Sequence, residues 1–321
     1  MIHNLEEKYS VGALLYSPAL NTKVANAVIN NKFGNRYSLA FCLEDTIADN
    51  SVELAEQQLK TTLKNIYLAK EKTDFFLPKI FIRVRSSEQV IRLYNDYQPY
   101  SDILSGFISP KYTVSNADEY NNAIISINSK SSKILFLMPI LESKDIVDYT
   151  TRYATLSELK QKVDSVKEYV LNVRVGGNDI SNEFATRRHY DETIYDILPV
   201  AQLLGDILTA FSREYVVSGP VWEYFSSVNE EWKRGLQNEL KLDILNGFIG
   251  KTVIHPKQIS VVNEALKVSQ KDYEDAKEIL NLEECPLQVG KSFAGERMNE
   301  AKTHYNWAYK TITLANIYGI V

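Results

Sequence analysis

Ile134-Leu135-Phe136-Leu137-Met138 is an unbroken apolar run. A strand with one wet face alternates apolar and polar residues, whereas a run apolar at every position suits a strand buried on both faces, as in a parallel sheet covered by helices. Seven comparable segments flank it. In order, the eight are Val11 to Ser17, Ser38 to Asp45, Lys79 to Arg85, Ile103 to Pro110, Lys133 to Glu142, Tyr169 to Gly176, Tyr215 to Val221 and Gly247 to His255. Helical spacing fills the gaps: Leu59, Leu63, Ile66 and Tyr67 share one face, and Trp232, Leu236, Leu240 and Ile244 share another. Asn50 followed by Glu53 reads as a capping box opening the second helix.

Strands alternating with helices define βα units around a parallel sheet. Eight such strands close most simply into a (β/α)₈ TIM barrel, with a doubly wound open sheet as the alternative, because periodicity does not show closure. The barrel is expected over residues 1–270. Residues 271–321 form a C-terminal helical extension, with a charged segment, a loop around Cys285-Pro286 and a last helix from Glu296 to Ile317. That helix carries the apolar residues Trp307, Ile312, Leu314 and Ile317, a face that needs a surface to cover, either on its own barrel or on another subunit.

A chain of 321 residues with net charge −5 has no basic stripe to neutralise phosphates, so no nucleic-acid partner is expected. Cys42 and Cys285 stand far apart, without a CxxC pair, which argues against a disulfide framework or a thiolate zinc site. No apolar stretch is long enough to span a bilayer and the first residues lack a signal pattern, so no membrane partner and a cytoplasmic location are expected.

In a (β/α)₈ barrel the active site lies at the C-terminal ends of the strands, and here those ends are rich in charge. The second strand ends in Glu44-Asp45, the third in Arg83 and Arg85, the fourth in Lys111, the fifth in Glu142 and the eighth in His255, while the sixth runs into Asp179. Glu142 and Asp179 offer hard oxygen ligands suited to Mg²⁺ or Mn²⁺. Taken singly, Glu142 reads equally as a solvated strand end and Asp179 as a turn residue after Gly176-Gly177-Asn178. Arg83 could grip a carboxylate and stabilise an enolate oxygen, or pair with Glu44 or Asp45. His255 reads more simply as a structural hydrogen-bonder, Cys42 as a core residue, and Trp222 and Tyr224 as packing or pocket walls. No GxGxxG or GxxxxGK[ST] accompanies Gly176-Gly177, so a nucleotide fingerprint is absent.

The motifs, taken in order, resemble the HpcH/HpaI aldolase and citrate lyase beta-subunit family. Leu14-Leu15-Tyr16-Ser17-Pro18 resembles its opening strand and turn, Leu43-Glu44-Asp45-Thr46 its LEDAV, Ile82-Arg83-Val84-Arg85 its VRVN, and Ser109-Pro110-Lys111 its LPK. Leu141-Glu142-Ser143 and Gly177-Asn178-Asp179-Ile180 are similar to the segments bearing its two metal ligands. The stretch from Gly247 to Pro256, followed by Gln258-Ile259, is the most specific match.

The resemblance implies Mg²⁺ on Glu142 and Asp179, Arg83 on the reacting carbonyl or carboxylate, and an enolate formed by carbon–carbon cleavage or condensation. Asp45 joins Arg83 as a catalytic candidate, and Glu44, Arg85, Lys111 and His255 are candidates for holding a small-molecule substrate. Met298-Asn299-Glu300 resembles the family's Met-Ile-Asp, which implies a homo-oligomer, a trimer or a multiple of one, with Glu300 acting as acid or base in a neighbour's site. Glu300 also reads as a helix cap.

Cys42, Arg85 and Ala19 depart from the family pattern and leave the substrate open among 2-oxo acids, hydroxy acids and coenzyme A or carrier thioesters. Lys291-Ser292 and Glu300-Ala301-Lys302-Thr303-His304 resemble a divergent branch of carbon–carbon lyases from tellurite-resistance-type stress operons. Two other readings stay open at this point: a non-catalytic barrel serving in binding or assembly, and a metal-dependent phosphosugar enzyme with Arg85 and Lys111 on phosphate.

Overall fold

The computed structural model describes residues 5–321. Eight parallel strands form one sheet: β1 Ala13–Pro18, β2 Ser38–Cys42, β3 Lys79–Arg83, β4 Leu104–Ser109, β5 Phe136–Leu141, β6 Val173–Val175, β7 Val217–Ser218 and β8 Lys251–Val253. Seven lie within segments read from the sequence, and β1 runs one residue past its segment, to Pro18. Their spatial order is β7-β6-β5-β4-β3-β2-β1-β8, so β1 pairs with a neighbour on both sides, Leu14 lying opposite Ser38 of β2 and Thr252 of β8. The remaining seam between β7 and β8 is bridged at Gly219 and Lys251, with Ile249 N–H donating to the Val217 carbonyl at 2.9 Å and Gly219 N–H to that of Gly250 at 3.0 Å. The sheet is therefore a nearly closed TIM barrel.

Its interior is packed by Leu14, Ala40, Phe81, Ile108, Met138 and Ile140, all buried. Each of these side chains other than that of Ala40 contributes about 1.5–3 kcal/mol by leaving water. The helices cover the outside with the faces their spacing defines: Leu59, Leu63 and Ile66 of helix Val52–Lys70, and Trp232, Leu236 and Leu240 of helix Glu231–Asn246, are buried. Trp222 is fully buried, its Nε1–H donating to the Trp232 carbonyl at 3.0 Å, and Cys42 is likewise a core residue.

Behind β7 and β8 a buried charge network ties the barrel wall to helix Glu231–Asn246. Lys251 Nζ reaches Glu239 at 2.9 Å and Asp243 at 2.6 Å, while Glu239 also pairs with Arg188 at 2.9 Å. Ile194 N–H donates to Glu239 at 2.8 Å and the Tyr195 hydroxyl to Asp243 at 2.7 Å, which fixes the segment before helix Leu198–Phe211.

The capping box at Asn50 and Glu53 does not form. A 3₁₀ turn at Asp49–Ser51 leads into the helix, so Asn50 already sits inside a turn; its side chain accepts from the Ser51 hydroxyl, and Glu53 accepts from Gln57.

Contacts divide the chain into Val11–Val262 and a second unit that joins Asn263–Val321 to the described residues up to Ser10, so the division falls before Gln270. The second unit contains helix Gln270–Leu282, an antiparallel hairpin of β9 Val289–Lys291 and β10 Met298–Glu300, and helix Ala301–Tyr318. The last helix therefore starts later than Glu296, because the Ser292–Gly295 turn folds residues 289–300 back as a hairpin. Ala276, Ile279 and Ala308 form this unit's core, Leu314 is buried, and Trp307 remains exposed beneath the Arg297 guanidinium. Among the described residues no helix is long and apolar enough to cross a membrane.

Candidate active site

At the C-terminal ends of the strands lies a cavity of about 570 Å³ whose lining includes Tyr16, Asp45, Arg83, Glu142, Asp179 and Thr252. Arg83 closes β3, Glu142 follows β5, and Asp179 stands in the first turn of helix Gly177–Glu183 after β6. Residues read from four distant points of the sequence thus converge where a parallel barrel concentrates chemistry.

Arg83 is buried at the centre of an acidic cluster. Its Nη2 lies 2.6 Å from Glu44, 2.7 Å from Asp45 and 3.5 Å from Glu142. Burial works against the guanidinium charge, but Tyr16, Glu142 and Glu44 outweigh it and hold the Arg83 pKa above its ordinary value. Lys111 Nζ completes the cluster from the solvent side, 2.6 Å from Glu44 and 3.1 Å from Asp45. Burial would raise the Asp45 pKa, but its bonds to Glu44 and Lys111 and the Arg83 charge prevail, and the carboxyl is held below its usual range.

Glu142 has the opposite balance. Burial dominates, Asp179 adds like-charge repulsion, and Arg83 opposes both only in part, so its pKa is pushed up to about 7. Two backbone features position it. Lys111 takes a left-handed conformation (φ 46°), and its N–H donates to Glu142 Oε1 at 2.9 Å. The backbone of Gly176 passes so close that a Cβ there would stand 1.9 Å from Oε2.

Several candidates take other positions. Arg85 turns out of the cavity: Nη1 donates to the carbonyls of Leu43 at 3.1 Å and Ile47 at 3.0 Å, and Nη2 pairs with Asp49. In this position it braces the loop after β2. His255 stacks on Phe225 at 4.9 Å and accepts from Lys257 N–H through Nδ1, also outside the cavity lining. Burial, then the nearby Lys257 charge, lowers its pKa and so favours the neutral imidazole. Glu44 and Lys111 act on the cavity through Arg83 and Asp45 and do not line it. Glu300, in the second unit, accepts from the Thr303 hydroxyl at 2.7 Å, and its N–H donates to His304 Nδ1 at 3.0 Å, a local arrangement at the start of the last helix.

The cavity also contains residues that the strand-end reading missed. Arg174 lies inside β6, Tyr16 inside β1 and Thr252 inside β8, while Arg187 and Glu223 pair at 3.1 Å on the rim. A lone arginine within a short apolar strand was the available signal for the first.

An acidic, arginine-centred cavity stands at the mouth of a (β/α)₈ barrel, where enzymes of this fold carry their active sites. The chain belongs to the C-C bond lyase family of the TIM-barrel fold, whose model matches residues 5–320. It is a carbon–carbon lyase, related in fold to the citrate lyase beta-subunit group. A citrate lyase from Burkholderia xenovorans LB400 is similar over 97% of this chain and 93% of its own, with TM-score 0.72 and 12% identity. CitE from Mycobacterium tuberculosis, solved with magnesium, acetoacetate and coenzyme A, is similar over 96% of this chain and 99% of its own, with TM-score 0.60 and 15% identity. RipC from Yersinia pestis aligns over 80% of this chain and 95% of its own, with TM-score 0.51 and 15% identity. No curated protein matches the chain.

The donor set fits a divalent cation. Glu142 and Asp179 face the same cavity and repel one another, a conflict that a cation between them would resolve. Among the described residues no three His, Cys, Asp or Glu side chains form a closed metal cage. Two carboxylates are the donor set by which Mg²⁺ is commonly held, with water or substrate oxygens in its other positions.

Proposed function

We propose that the protein is a Mg²⁺-dependent carbon–carbon lyase or aldolase that acts through an enolate on a 2-oxo acid, a hydroxy acid or an acyl thioester. The observation that carries this reading is the convergence of Arg83, Glu142 and Asp179 on one cavity. Glu142 and Asp179 would hold the ion, which supplies Lewis-acid polarisation of the substrate carbonyl, and Mn²⁺ satisfies the same oxygen donors.

The chain's own residues do the rest. Arg83 places a fixed guanidinium where negative charge develops on oxygen, and being already held by Glu44 and Asp45 it needs no reorganisation to do so. Asp45, kept ionised by Arg83 and Lys111, holds the guanidinium in place, and its depressed pKa makes it a weak proton acceptor. Ile140, Val175, Val221 and Ile254 supply apolar lining that limits water near the reacting carbon. A phosphosugar reading draws no support from Arg85 or Lys111, because the first binds its own loop and the second is paired to Glu44 and Asp45. The magnesium and acetoacetate in the CitE structure are consistent with a small oxo acid at a corresponding place.

The working form is further proposed to be a cytoplasmic homo-oligomer, a trimer or a multiple of one, in which Glu300 completes a neighbour's site. Exposed Leu287, Phe293 and Met298 in and beside the hairpin supply apolar area for such an interface. The central test is thermal: Mg²⁺ should raise the melting temperature of the wild type, and Glu142→Gln should abolish that rise together with lyase activity. An equal rise in both proteins would remove the metal assignment.

A further inference from the structure

Arg174 is 1% exposed, yet it lines the same cavity as Glu142 and Asp179. Its neighbours are neutral. Nη1 donates to Asn172 Oδ1 at 3.3 Å, Nη2 donates to Thr252 Oγ1 at 2.7 Å, and the Tyr16 phenol lies beside it. Its buried Nε has no hydrogen-bond partner, and among the described residues no carboxylate comes within ion-pair distance of the guanidinium. The other two arginines of the cavity differ: Arg83 is surrounded by Glu44, Asp45 and Glu142, and Arg187 pairs with Glu223.

A guanidinium stays protonated in proteins, so Arg174 brings a full positive charge into the barrel interior without a counter-ion. A buried charge lacking its partner is costly, and removing the partner of a buried pair is destabilising for the same reason. Burial accordingly lowers the Arg174 pKa, the opposite of the balance at Arg83. The arrangement is completed by an anion that arrives with the ligand. One guanidinium with a free Nε–H matches the single charge of a carboxylate; a phosphate dianion would call for a second unpaired cation.

We infer that Arg174 is the anchor for a second carboxylate of the substrate, remote from the reacting carbonyl, and that the enzyme therefore selects small 2-oxo or 2-hydroxy diacids over monoacids of the same length. Thr252 is the positioning residue, because its hydroxyl fixes the Nη2 end of the guanidinium. This rests on the oxo-acid chemistry proposed above, but its readout is binding and does not require turnover.

The experiment is calorimetric titration of the Mg²⁺-loaded protein with matched pairs, oxaloacetate against 2-oxobutanoate and 2-oxoglutarate against 2-oxopentanoate. For the diacid of fitting length, the wild type should bind the diacid at least tenfold more tightly than its monoacid partner. Arg174→Met should bring that ratio to about one, and Arg174→Lys should retain part of it. Thr252→Val should lower the ratio several-fold, which keeps the test available if Arg174→Met does not fold. Absence of any binding to the wild type by either member of both pairs would count against the oxo-acid reading itself, and the inference would fall with it. Monoacid binding without a diacid preference, or a preference that survives both Arg174→Met and Thr252→Val, would overturn the anchor alone. Arg174-dependent binding of inorganic phosphate without a diacid preference would reassign the anchor to phosphate.

Discussion

Gly176 leaves the only kind of space in which Glu142 can stand as it does: a β-carbon on Gly176 would lie 1.9 Å from Glu142 Oε2 and 2.4 Å from its Cβ. Because the second of those atoms is near the backbone, rotating the carboxylate away would not relieve the contact. Gly176→Ala should therefore shift Glu142 and weaken Mg²⁺ affinity by about 10–100-fold, the scale seen when support for a metal ligand is lost. Calorimetry with Mg²⁺ checks this, and unchanged affinity would show that Glu142 is not a ligand or that the backbone yields easily.

Arg83→Lys should lower turnover by about 10²-fold with a much smaller change in substrate affinity, because a point charge cannot reproduce the guanidinium fork at a developing oxyanion. Arg83→Met should in addition cost about 3–5 kcal/mol of stability, since Glu44, Asp45 and Glu142 would lose their shared cation. Steady-state kinetics and chemical denaturation separate the two effects. If Arg83→Lys weakens binding and leaves turnover intact, the residue anchors substrate and does not stabilise the enolate.

The second unit should respond to acid through Asp275. Burial alone would raise its pKa, but Phe293 N–H at 2.6 Å and Arg297 Nε at 2.8 Å donate to the carboxylate, and the net result lies below the ordinary 3.8. A depressed carboxyl pKa contributes stability that is present above the unfolded-state value and is lost as pH falls through the folded one. Arg297, then held only by Asp272 at 2.7 Å, would shift relative to the Trp307 ring 5.1 Å beneath it. The fluorescence difference between wild type and Trp307→Phe should change on acidification, and Asp275→Asn should show the acid-state signal already at pH 7. A pH-independent difference would remove Asp275 from this role.

Mixing Glu300→Gln subunits with Glu142→Gln subunits should restore part of the lyase activity if Glu300 serves a neighbour's site. Each variant alone should be inactive or nearly so, and removal of the chain from Gly290 onward should break the oligomer, as read by sedimentation. A fully active monomer would refute the shared site. An oligomer without complementation would confine Glu300 to the local bonds it makes with Thr303 and His304.

The barrel was legible because burial on both faces leaves a mark that local chemistry cannot hide: Phe136 to Leu141 is apolar at every position, and β5 occupies it. Arg83, Glu142 and Asp179 were legible as strand-end charges, and the fold brings them together. Arg85 carried the same signal but lies beyond the end of β3, where the chain has already turned toward Leu43 and Ile47. Arg174 was hidden for the converse reason. It occupies the middle of a three-residue strand, where no strand-end argument looks and periodicity has too few residues to register. The hairpin at Val289–Lys291 and Met298–Glu300 was also missed, since two three-residue strands offer no alternation to count.

The position of β1 sets the order in which the molecule can be built. Leu14 meets Ser38 early in the sequence, yet its other partner, Thr252, leaves the ribosome only after seven strands are already made. Until then the growing chain is an open sheet with bare hydrogen-bonding edges, the state most prone to pairing with a second nascent copy. Tyr16 and Thr252, from the two strands that meet last, both line the cavity, so the substrate pocket does not exist in any shorter fragment. The cavity is thus completed in a single late event of synthesis, and a chain stopped before Lys251 would burden the cell's quality control with an open barrel.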